Sequence, residues 1–232
     1  TLSKLVTRLK IEGNRAELDG TMLVGKGPLA LGGWLSWAQL PVTGSLTIQG
    51  KELEAQYPGM GRVRVSPDIA ISLGEETRIT GQVDIPWARI LVKSLPESAV
   101  AVSDDVTVVY DDLPPVPKAA PLPMAIKLAI RLGDDVRLEA MGLKTKVGGG
   151  INIRQDPSRP LAGNGQLVLN DGRFKAYGQN LIIKDGRILF SGPLDQPFLN
   201  IEAYRDPDTI EDKVTVGVRV TGPASKPKIT VY

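Results

Sequence analysis

The residues that could carry chemistry in this chain are few in kind. It has no histidine and no cysteine. That removes the usual general base, the commonest zinc ligand, any thiolate or disulfide, and every Ser-His or Cys-His arrangement. Two acid pairs remain, Glu75/Glu76 and Asp134/Asp135, each directly after a glycine, with two alternating basic pairs, Arg62/Arg64 and Lys144/Lys146. Paired carboxylates can serve acid–base hydrolysis or calcium binding. Neighbours on a strand face opposite ways, however, and no further oxygen ligands follow at loop spacing. The acid pairs therefore read as tight-turn residues. The basic pairs point off one strand face, where a solvated sheet surface is favoured over a phosphate site. No nucleophile sits in an elbow motif. The expectation is no enzyme, no metal and no cofactor.

The elements that would position these residues are strands. The 25 glycines and 18 prolines, set among alternating Val, Leu and Ile, favour many short strands over helices. A net charge of +2 makes no case for nucleic acid, which requires a concentrated basic patch. No run of apolar residues is long enough for a membrane-spanning helix. One pattern, glycine–any–aliphatic–any–aliphatic, recurs at Gly27, Gly44, Gly61, Gly81, Gly149, Gly165 and Gly186. A strand with its turn takes roughly 8–10 residues, so wider spacing predicts one copy per hairpin. Each copy would then start a strand running in the same direction, with Leu53–Tyr57, Ile69–Leu73 and Phe174–Ile183 as return strands. Such an array buries by stacking what no single unit buries alone.

The stretch 163–204 reads as a meander with one oily face, with Asn170-Asp-Gly172 and Lys184-Asp-Gly186 as turns. A longer echo joins Ile69–Ile79 to Leu128–Leu138, each with a glycine and two acids predicted to turn between strands. Leu2, Leu5, Val6 and Leu9 have helical spacing, with a first strand as the other option. Pro86-Trp87 is expected to end a strand, and Ile90–Leu95 to form another. Pro114, Pro115, Pro117, Pro121 and Pro123 predict an extended connector. Beyond 205, an acidic turn at 206–212 precedes alternating Val214, Val216, Val218 and Val220 and a last strand at 228–232. Residues 1–232 are expected to form one elongated repeat-built β domain. Its sheet halves would be 1–85 and 126–232, with 86–125 as a Pro-rich insertion or linker. The strand-like ending at Tyr232 suggests a piece of a longer protein.

Several longer motifs carry a resemblance. They are Ser66-Pro-Asp-Ile69, Gly81-Gln-Val-Asp-Ile-Pro-Trp-Ala-Arg89, Leu95-Pro-Glu-Ser98, Gly172-Arg-Phe-Lys-Ala-Tyr-Gly178, Leu189-Phe-Ser-Gly-Pro193, Gln196-Pro-Phe-Leu-Asn-Ile-Glu-Ala203 and Gly217-Val-Arg-Val-Thr-Gly222. In these the chain resembles the C-terminal region of the TamB family. The resemblance implies a long curled β-sheet of taco or half-pipe shape with a greasy lumen. It also implies a periplasmic location in a protein anchored in the inner membrane of a diderm bacterium, and an outer-membrane barrel partner, TamA. The roles it implies are phospholipid transport between the membranes and support of outer-membrane protein assembly.

The residues themselves allow two architectures for the same all-β antiparallel meander. Leu29, Leu31, Leu46, Ile48, Val63, Val65, Val83, Ile85, Ile151, Ile153, Leu167, Leu169, Ile188 and Phe190 form the predicted apolar face. They could fill an ordinary sandwich core against an opposite wall, or line an open trough for acyl chains or client strands. A meander also leaves free edges, so Ile229, Thr230 and Val231 are candidates for docking a client or partner strand.

Overall fold

In a computed structural model, residues 2–92, 123–140, 142–176, 179–205 and 217–232 are described, and they form a single sheet of 14 strands with no helix among them. The strands are β1 (Leu2–Glu12), β2 (Arg15–Val24), β3 (Gly27–Ser36), β4 (Thr43–Gly50), β5 (Leu53–Tyr57), β6 (Gly61–Leu73) and β7 (Thr77–Val92). They continue as β8 (Met124–Ala140), β9 (Leu143–Gln155), β10 (Ala162–Ala176), β11 (Gln179–Pro193), β12 (Phe198–Arg205), β13 (Gly217–Pro223) and β14 (Lys228–Val231). Their order in the sheet is their order in the chain, except that β5 pairs with β6 beside the end of β4. This is the expected all-β curled meander, an open half-pipe whose outer strands β1 and β14 do not meet.

One junction breaks the antiparallel rule. β7 and β8 pair in parallel, Thr77 opposite Met124 and Val92 opposite Ala140. A parallel pair needs a return connection, and residues 93–123 supply it. The proline segment 114–122, Leu95, the acidic turn 206–212, Val214 and Val216 lie outside the described residues. Val218 and Val220 fall in β13, and the last strand is β14.

The strands run to 17 residues, and this overturns the one-copy-per-hairpin reading. Gly27, Gly44, Gly61 and Gly81 fall in β3, β4, β6 and β7, while Gly149, Gly165 and Gly186 fall in β9, β10 and β11. Within each group neighbouring copies are antiparallel. The repeat therefore marks single strands, alternate ones pointing opposite ways. Six of its seven glycines sit against a neighbouring backbone, and Gly186 sits against the Leu169 and Ile183 side chains. Gly165 (φ +144°) and Gly81 (φ +140°) take extended positive-φ conformations that L residues avoid. A Cβ there would run into the carbonyls of Gly150 and Asp68 respectively.

Several residues expected to make turns sit inside strands as bulges. Asn170-Asp171-Gly172 lies within β10, where register shifts between Asn170 and Arg173 and Asp171 has φ +51°. Lys184-Asp-Gly186 lies within β11, beside a shift between Ile183 and Asp185. Phe174–Ile183 is accordingly the β10–β11 junction and not a return strand. Ile69–Leu73 is the second half of β6, whereas Leu53–Tyr57 is a strand as expected. Pro86-Trp87 does not end β7, which bulges there and runs on through Ile90 to Val92. Residues 2–9 are strand and not helix: a bulge between Ser3 and Val6 shifts the alternation and mimics helical spacing.

A bulge adds one residue to one strand, bends it and sharpens its twist. The bulges in β7, β8, β10 and β11 flank the most buried part of the sheet, where Ala88, Val136, Val147 and Leu169 pack together. Half-buried neighbours such as Val63, Ile85, Leu132, Leu138, Leu167 and Ile201 pack against these four. Elsewhere the sheet is one layer thick.

Candidate functional site

Opposed residues in neighbouring strands share a face, so the pairing register traces rows across the sheet. One row runs Leu31, Ile48, Ile69, Gly81, Leu128, Ile153. A second runs Val83, Ile130, Ile151, Gly165, Phe190, and a third Ile85, Leu132, Gly149, Leu167, Ile188, Leu199. All fourteen predicted lining residues fall on this face. Side chains that the repeat reading missed join them: Ile126 to Leu132 at alternate positions of β8, Ile201 and Ala203 of β12, and Val218 and Val220 of β13. Their signal was the same alternation without a leading glycine.

Burial separates the two architectures. Of the fourteen, only Leu169 is buried (5 % exposed), and the other thirteen are half-buried. Among the described residues just seven apolar side chains are buried, three of them alanines. Packing between elements runs along sheet neighbours, apart from β5 reaching the end of the β2–β3 hairpin. Among the described residues no second wall covers the apolar face. Neighbours shield each side chain from the flanks, and one side stays open.

The opposite face is polar. Arg62, Arg64 and Arg89 surround Trp87 at 5.6, 5.0 and 4.6 Å from the ring centre, and Arg15 lies 4.5 Å above Trp34. The acid pairs diverge. Glu75/Glu76 sit in the β6–β7 turn as expected, while Asp134/Asp135 lie in the bulge of β8. Asp135 accepts hydrogen bonds from Arg89 (2.7 Å) and Arg137 (3.0 Å), and the Arg89 bond chiefly holds its carboxyl below the usual range. Lys144 pairs with Glu139 (2.9 Å) and Lys146 with Asp171 (2.8 Å).

At the C-terminal edge β14 is short and exposed, with Ile229 65 % and Val231 66 % accessible. Glu202 of β12 ties it down. It accepts hydrogen bonds from the Tyr232 hydroxyl (2.8 Å), Lys184 of β11 (3.1 Å) and Arg219 of β13 (3.2 Å). These donors, Tyr232 foremost, lower the Glu202 carboxyl to about 2. A depressed carboxylate contributes its stability above the unfolded value and loses it as pH falls, so the clamp holds from neutral pH deep into the acid range.

The family profile of the TamB C-terminal domain matches residues 17–232. A curated relative, the translocation and assembly module subunit TamB of Haemophilus influenzae, is 38 % identical over 237 residues, covering 97 % of this chain and 18 % of that protein. The chain thus spans less than a fifth of that relative's length. It belongs to the TamB family, within the C-terminal domain.

Proposed function

We propose that the open apolar face is a trough for phospholipid acyl chains. In this reading the chain is the C-terminal part of a periplasmic translocation and assembly module subunit, anchored in the inner membrane. It works with the outer-membrane barrel TamA in phospholipid transport between the membranes and in outer-membrane protein assembly. The observation carrying the reading is the half-buried state of thirteen of the fourteen lining residues, with no wall opposite them among the described residues. Thirteen strands follow one another in the sheet path, and at about 4.8 Å per step they give a surface some 60 Å across. Each methylene laid on it recovers up to about 0.8 kcal/mol. Half-burial of one chain then amounts to several kcal/mol, which holds a lipid without trapping it.

Native mass spectrometry of the purified chain tests the reading. Phospholipid should accompany the wild-type chain and be lost from Leu167→Arg and Ile188→Asp, with the β-type circular dichroism spectrum kept. Wild-type lipid content in both variants contradicts it.

The exposed β14 favours a second reading, in which Ile229, Thr230 and Val231 dock a nascent outer-membrane strand by edge pairing. A photocrosslinker at Thr230 then captures client protein, whereas one at Leu167 captures acyl probes. Client capture at Thr230 with no acyl capture at Leu167 favours strand docking over lipid carriage.

A further inference from the structure

A cavity of about 710 Å³ lies where the ends of β5 to β9 come together. Its lining draws on both registers of the sheet. Tyr57, Ile90 and Leu138 come from the apolar rows; Arg62, Arg89, Arg137, Lys144 and Lys146 come from the polar ones. The two basic pairs distant in sequence thus meet: Arg62 from one and both lysines of the other line the same space. Only two carboxylates, Glu139 and Asp171, share the lining with those five cations. With Asp135, which holds Arg89 and Arg137 from outside the lining, the local excess is two, as large as that of the whole 232-residue chain.

The partners these cations already have are exchangeable. Lys144–Glu139 and Lys146–Asp171 are solvent-facing pairs, the lysine side chains 67 % and 44 % accessible. Such pairs contribute about 0–1 kcal/mol, less than a multivalent phosphate contact can return. Arg62 stacks on Trp87 at 5.6 Å and keeps its donors free to turn. Arg89 and Arg137 are held in place by Asp135. A cavity at the strand ends, where residues from the apolar and the polar face line one space, suits an amphiphile with an anionic head.

We propose that this cavity seats the phosphate of an anionic glycerophospholipid whose acyl chains lie on the apolar face. The inference rests on the trough reading and adds a headgroup subsite with a charge preference. Lys144 and Lys146 supply mobile charge, and Arg62 completes the cradle.

The test loads the full chain from detergent micelles holding equal phosphatidylglycerol and phosphatidylcholine, and reads bound lipid by native mass spectrometry. Wild type should take phosphatidylglycerol preferentially. The Lys144→Gln/Lys146→Gln double variant should lose about tenfold of that loading, each lysine near an anionic headgroup acting as in basic lipid-binding segments. Its phosphatidylcholine loading, where choline offsets the phosphate charge, should fall far less. The Lys144→Arg/Lys146→Arg variant, keeping both charges, should restore the preference and guards against a folding defect. Equal loading of both lipids by wild type and the Gln variant overturns the subsite and leaves the trough standing. Failure of wild type to load either lipid overturns both. Inorganic phosphate distinguishes the other source: if phosphate alone raises the wild-type melting temperature but not that of the Gln variant, and no headgroup preference is seen, the cavity is a free-anion site and the proposal fails.

Discussion

Two segments of this chain share nearly the same letters and fold differently. Ile69–Ile79 is a hairpin: β6 ends at Leu73, Gly74-Glu75-Glu76 turns, and Ile79 returns opposite Ile71. Leu128–Leu138 does not turn at all. It runs straight through β8, with Gly133-Asp134-Asp135 as a bulge. The neighbour makes the difference. β8 lies parallel to β7, and its bulge falls beside Pro86, which has no N–H to give the ladder. Register shifts on both strands there, Ile85 opposite Leu132 and Trp87 opposite Asp135. Gly133 sits hard against Pro86, whereas the space around Gly74 is empty. A glycine followed by two acids is thus a licence to deviate, and the partner strand decides between reversal and bend. In the second case the bend lies beside the compact core found among the described residues.

Paired substitutions at matched positions sharpen that contrast. The largest effect belongs to Val136, 2 % exposed in the bend. Val136→Asp buries an unpaired carboxylate and should cost more than about 4 kcal/mol in urea unfolding. Thr77→Asp, its counterpart after the turn, should cost about 1 kcal/mol or less. Equal losses would mean that the bend has no special core.

Next come the glycines. A Cβ on Gly133 would lie 2.8 Å from Pro86 Cα, and on Gly74 it meets nothing within 4 Å. Gly133→Ala should lose about 1–3 kcal/mol, and Gly74→Ala should change stability by less than about 0.5 kcal/mol.

The smallest effect is electrostatic. The lowered Asp135 carboxyl, held first by Arg89, contributes stability that is complete above the unfolded carboxylate value and fades as pH falls through the folded one. Melting temperature followed from pH 7 to pH 2 should show a shallower acid-side decline in Asp135→Asn than in wild type.

The same contrast explains what the sequence made legible. Alternation is a local property, so the strand class, the apolar face and all fourteen of its named side chains could be read directly. Strand length and direction depend on partners far along the chain. The glycine repeat looked like one copy per hairpin because its copies lie further apart than a short strand and turn require, and Asp171-Gly172, Asp185-Gly186 and Asp134-Asp135 carry turn chemistry. Only the pairing shows that they bulge. Nothing local marks β7 and β8 as parallel, since that arrangement follows from the return through 93–123. Convergence of Arg62, Lys144 and Lys146 on one cavity is likewise a product of register, invisible in two separate alternating pairs.

The central claim is that the aliphatic face is open in the folded state. With no native cysteine, single thiols can report on it directly. In delipidated protein, Ile48→Cys and Ile151→Cys should react with a small maleimide within about tenfold of the solvent-side control Asn152→Cys, needing no unfolding. Added phospholipid should then slow the first two and spare the control. Thiols at 48 and 151 that stay unreactive until denaturant unfolds the chain, a protection of about 10³-fold or more, would show a closed core and contradict the account.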